Sequence, residues 1–139
     1  MTLLTGSAIA SIDPVSAQFA PQISGLKAGE ALKLGAFCFI DTDGDVNECD
    51  TASGSYSALG VTARQVVSGE PVTLFGQGTI IGQYSSGMTP GTMYYLSAAD
   101  PGSLDSAATV RDGKGSAVAI SATDIVVIRA DMIKESRAD

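Results

Sequence analysis

The chain has no histidine and no tryptophan. Among its 139 residues are only two cysteines, four phenylalanines and eight basic side chains, against fifteen acidic ones. Each shortage excludes something. Without histidine there is no Ser-His-Asp or Cys-His nucleophile, and the commonest general base and metal ligand are both missing. A lysine-activated serine is not expected either, because Lys27, Lys33, Lys114 and Lys134 fall in turns, on alternating strand positions or in the C-terminal tail. A formal charge of -7 repels a phosphate backbone, so nucleic acid is not an expected partner. No run of eighteen apolar residues occurs, so no segment reads as a membrane-spanning helix. Residues 1–20 also lack the basic start and compact apolar block of a signal peptide. No catalytic constellation and no cofactor are expected.

What is present is apolar and heavily punctuated. With 45% hydrophobic and 17% charged residues, the composition is that of one folded domain with its own core. Sixteen glycines and five prolines interrupt every helical period, so short strands are expected. An alternating stretch follows a turn at 26–35, a hairpin is expected over 37–50, and further strand-like runs lie at 57–63, 71–75, 78–82, 92–96, 116–120 and 124–130, joined by short connections rich in Gly, Ser, Asp and Pro. The fold class is therefore mostly β, a compact barrel-like or sandwich-like domain over 25–130. Residues 1–24, Ala-rich and without a sustained period, read as an extended arm. Residues 131–139 read as a short helical tail.

Asp43-Gly44 is a two-residue hairpin signal of type I′. With that pair at the tip, Phe39 faces Glu48 and Cys38 faces Cys49. The two cysteines would then be about 5.5 Å apart at Cα, within reach of a disulfide. Whether they are bridged or reduced stays open, because a bridge needs an oxidising compartment. The acidic residues Asp41, Asp43 and Asp45 form a weak calcium candidate, with carboxylates at alternate positions. Against it, Gly44 precedes Asp45 and the twelfth loop place is Ala52; a solvated hairpin tip is the simpler reading. Gly76-Gln77-Gly78 leads into Thr79 with no helix to follow, and reads as a hairpin turn rather than a phosphate loop. Residues 28–34, Ala-Gly-Glu-Ala-Leu-Lys-Leu, are echoed forty positions later by 68–74, Ser-Gly-Glu-Pro-Val-Thr-Leu.

Several phrases, taken in order, resemble the head decoration, or cement, proteins of tailed bacteriophages. They are Ala28-Gly29-Glu30-Ala31-Leu32, Phe39 to Val46, Ala58-Leu59-Gly60-Val61, Ser68 to Leu74, Gly87 to Ser97, Pro101-Gly102-Ser103-Leu104 and Ile125-Val126-Val127-Ile128. The resemblance implies a virion structural protein, made in the host cytoplasm and seated as a homotrimer on the outer capsid surface. Its partner would be the major capsid protein. It also implies an N-terminal arm in contact with the capsid, for which Leu3, Leu4, Ile9, Ile12 and Phe19 supply the apolar side chains. The Thr89-Pro90-Gly91 phrase leading to Tyr94-Tyr95-Leu96-Ser97 also resembles tail-fibre and receptor-binding modules, which is the alternative reading.

Overall fold

The computed structural model describes residues 3–4, 11–13, 16, 18, 20–49, 58–97, 100–106 and 115–128. These residues form twelve strands: β1 (Leu3–Leu4), β2 (Ser11–Ile12), β3 (Gln22–Lys27), β4 (Phe37–Ile40), β5 (Val46–Glu48), β6 (Gly60–Thr62), β7 (Pro71–Phe75), β8 (Ile80–Gly82), β9 (Met93–Leu96), β10 (Leu104–Asp105), β11 (Ala117–Ala119) and β12 (Ile125–Val127). They make two antiparallel sheets. One has seven strands in the order β1-β10-β9-β11-β12-β8-β2, the other five in the order β3-β7-β6-β4-β5.

Side-chain alternation explains how the sheets share a core, since successive residues of a strand face opposite ways. On β4, Phe37 and Phe39 belong to the larger apolar cluster, while Cys38 and Ile40 belong to the smaller. The larger cluster lies between the sheets. Phe37, Val61 and Phe75 from the five-stranded sheet meet Ile81, Tyr94, Leu96, Leu104, Ala117, Ala119, Ile125 and Val127 from the seven-stranded one. The smaller cluster, with Leu32, Cys38, Val46, Val66, Val72 and Leu74, fills the opposite face of the five-stranded sheet. That sheet rolls around it until Ala28, just past β3, bridges Val46 of β5 in parallel, with the Gly29 N–H donating to the Val46 carbonyl at 2.8 Å.

The β4–β5 hairpin departs from expectation by one residue. Cys38 faces Glu48, Phe39 faces Asn47 and Ile40 faces Val46. The loop has three residues, Thr42-Asp43-Gly44, not two. The Gly44 N–H closes a turn onto the Asp41 carbonyl at 3.1 Å, and Gly44 takes a φ of 85°, the left-handed residue that such loops require. Asp41 drives the choice, because its Oδ1 accepts the N–H groups of Asp43 and Asp45 at 2.9 and 3.0 Å. The shift separates the cysteines: Cys49 donates its N–H to the Phe37 carbonyl and joins the larger cluster, whereas Cys38 joins the smaller. Cys38 and Cys49 are thus not a directly opposed pair, and no disulfide joins them.

A separate N-terminal arm is not supported. β1 pairs with β10 and β2 with β8, so the segment supplies both margins of the seven-stranded sheet. β3 runs across the expected boundary between residues 24 and 25. Ile9, Phe19 and the tail 131–139 lie outside the described residues. Residues 76–79 form a corner, not a hairpin turn. They carry the chain from β7 in one sheet to β8 in the other, and Gly78 and Thr79 are pinned to Val127 by backbone bonds of 2.7 and 2.8 Å.

Candidate functional site

The densest polar cluster sits where the base of the β4–β5 hairpin meets the β9–β10 connection. Glu48, at the end of β5, has a side chain only 9% exposed. The Lys33 N–H donates to its Oε2 at 2.8 Å, and the Lys33 ammonium lies 3.6 Å from its Oε1. That ammonium also donates to the Pro101 carbonyl at 2.6 Å and to Asp100 Oδ2 at 3.2 Å. Ser103 Oγ donates to the same carboxylate oxygen at 2.6 Å. The Glu48 N–H in turn donates to Glu30 Oε2 at 2.8 Å. Backbone bonds complete the join: the Gly102 N–H reaches the Cys49 carbonyl at 2.8 Å, and Phe37 donates back to Gly102 at 3.0 Å. The join favours glycine. Its φ is 78°, and an added Cβ would lie 3.0 Å from Glu48 Cδ and 3.1 Å from Ala36 Cβ.

Burial pushes the Glu48 carboxyl above its ordinary range, opposed by the Lys33 N–H and ammonium. Tyr84 is buried behind the cluster, and desolvation raises its phenol well above the usual value. Ser103, Asp100 and Lys33 have the types of a serine nucleophile with its activators, but the arrangement does not suit that chemistry. The serine is 2% exposed, and its carboxylate partner is already neutralised by Lys33. The cluster is a polar clamp between the two sheets.

The sequence candidates fare differently. Asp41, Asp43 and Asp45 do not converge: Asp41 spends both oxygens inside the loop, Oδ2 on the Asn47 amide, and Asp45 turns toward Lys27 at 3.9 Å. Hydrogen bonds, first of all from the Asp45 N–H, hold the Asp41 carboxyl below its ordinary value. Among the described residues no three Cys, Asp or Glu side chains are grouped to hold a metal ion. Ser24-Gly25-Leu26-Lys27 does have Ser-x-x-Lys spacing, which inspection of the lysines overlooks. It lies on extended β3, not on a helix, with both end residues exposed. The two echo segments touch each other: Gly69 donates to the Ala28 carbonyl at 2.8 Å and Ala28 to the Glu70 carbonyl at 2.9 Å. Of the capsid-contact set, Ile12 is half-buried against the larger core cluster, and Leu3 and Leu4 form β1.

Sequence reasoning misses a second surface. On the seven-stranded sheet Ile81, Ile125, Val127, Ala117, Ala119 and Tyr94 face the core. Their neighbours therefore face outward. Ile80 pairs with Val126, Val126 with Val118, and Val118 with Met93, which makes an apolar row across β8, β12, β11 and β9. All four are half-buried, with half-buried Tyr95 two places beyond Met93 and Ile120 45% exposed beside the row. An antiparallel sheet with one face on the core usually presents polar side chains on the other. The signal was available as continuous rather than alternating apolarity at 80–81, 93–96, 117–120 and 125–128.

No protein-family model matches the chain, and no curated protein matches it.

Proposed function

We propose that this chain is a non-catalytic binding module, a virion structural protein that decorates and stabilises the outside of an assembled phage capsid, and that it acts as a homotrimer. The apolar row Ile80–Val126–Val118–Met93 carries the binding part of this reading. A sheet whose second face is apolar is suited to a macromolecular partner rather than to a small substrate. The assignment of that partner as the major capsid protein rests on the sequence phrases that resemble decoration proteins. The polar clamp fits the same role, because it spends the available Lys, Asp, Glu and Ser groups on holding the sheets together. Many copies on one lattice would add their weak contacts into a durable coat.

The test is addition of purified protein to capsids that lack it. The expected result is saturation at hundreds of copies per capsid and a higher capsid disruption temperature. Binding to cells or glycans with only a few copies per virion would favour a tail-fibre or receptor-binding module instead.

A further inference from the structure

Both margins of the seven-stranded sheet come from one short stretch of chain: β1 lies on β10 at one end and β2 on β8 at the other. Leu4 and Ser11 are seven residues apart, so the chain between them spans at most about 25 Å. Crossing a flat sheet of seven strands takes six interstrand steps, about 29 Å. The segment can therefore seat both ends on its own sheet only because the sheet curls. The β2 end is the better anchored, with Ile12 against the core and the Asp13 N–H on the Ile80 carbonyl at 2.8 Å. The β1 end is held by a two-residue ladder on β10, itself only two residues long.

We infer that the N-terminal segment is an exchangeable strap, and that the β10 edge it covers is the surface through which copies of this chain join, each copy's β1 lying on its neighbour's β10. The occupant is a second copy because the structure already shows the fit: Leu3 faces Asp105 and Leu4 faces Leu104, and the same residues from another copy present the same backbone groups in the same register. Exchange of an identical element keeps every ladder hydrogen bond and adds contact between copies. In the homotrimer of the proposed function each subunit gives one strand to one neighbour and receives one from the other, a heterologous interface that closes as a ring. This deepens the homotrimer of the proposed function and rests on that reading only for the ring size.

Two full-length single variants test it, Leu3→Cys and Asp105→Cys, whose positions are opposed across β1 and β10. Equilibrated together and oxidised, they should give a two-chain product on a non-reducing gel, with the 3–105 disulfide found by mass spectrometry and absent from either variant alone. The native Cys38 and Cys49 are buried and report little. Leu4→Cys with Leu104→Cys repeats the test in case Asp105→Cys does not fold. The inference is overturned if the mixed product is missing while the double variant Leu3→Cys/Asp105→Cys cross-links within one chain, and equally if neither cross-link forms. A mixed product from protein that ignores capsids would leave the exchange standing and remove the capsid assignment.

Discussion

The two sheets solve the same problem in opposite ways. The five-stranded sheet turns inward: it rolls around Leu32, Cys38, Val46 and Leu74 and meets itself at the Ala28–Val46 bridge. The seven-stranded sheet borrows its margins from the N-terminal segment and keeps an apolar row on its outward face. A sheet that encloses its own apolar side chains needs no partner. One that shows them outward is suited to having one, and that face of the seven-stranded sheet is where the proposed binding is to be tested.

Breaking what the sheets share should have the largest effect. Phe37, fully buried, projects from the rolled sheet into the cluster between the two. Phe37→Ala should lower stability by about 3–5 kcal/mol, and in denaturant both sheets should be lost in one transition. Two separate transitions would show that the sheets are independent units. Gly102→Ala attacks the clamp instead, and the strained φ together with the crowding on Glu48 should cost about 1–3 kcal/mol, read from the same curves.

Thr79→Val should have the opposite sign. Among the described residues the Thr79 hydroxyl is buried without a hydrogen-bond partner, at the corner between the sheets. Removing it should stabilise the protein by about 1 kcal/mol, seen as a higher melting temperature.

The smallest effects are those of pH. The Glu48 carboxyl is raised in the folded state, so the native protein holds that proton more tightly than the unfolded chain does. Its contribution therefore weakens stability as pH rises from the unfolded value of 4.5 through the folded one. In Glu48→Gln that part of the slope should vanish, as followed by urea midpoints between pH 4 and 8. Asp41, at the tip of the same hairpin, behaves oppositely. Its stabilisation is present above 3.8 and is lost as pH falls through its lower folded value, so Asp41→Asn should flatten only the acid limb.

The central strands were legible in the sequence and the margins were not. The run at 71–75 is β7 residue for residue, and the runs ending at 82 and 96 contain β8 and β9, because four or five apolar and β-branched residues between turn formers carry their own signal. β1, β2 and β10 have two residues each, too few for any period. β3 hides behind a bulge: its register shifts between Ile23 and Leu26, so its inward residues are three apart rather than two. The hairpin register failed for a chemical reason, since the Asp41 carboxylate favours a three-residue loop over the Asp-Gly turn. The clamp joins Lys33, Glu48 and Asp100, which no local pattern links.

The most direct test of the account is capsid addition with Val118→Lys beside the unaltered protein. Val118 lies inside the outward row, between Val126 and Met93, and is half-buried, so the variant should keep the β-sheet circular dichroism of the parent. The parent should coat capsids and raise their disruption temperature, while the folded variant should do neither. A folded Val118→Lys protein that coats capsids as fully as the parent would contradict the assignment of that face as the binding surface.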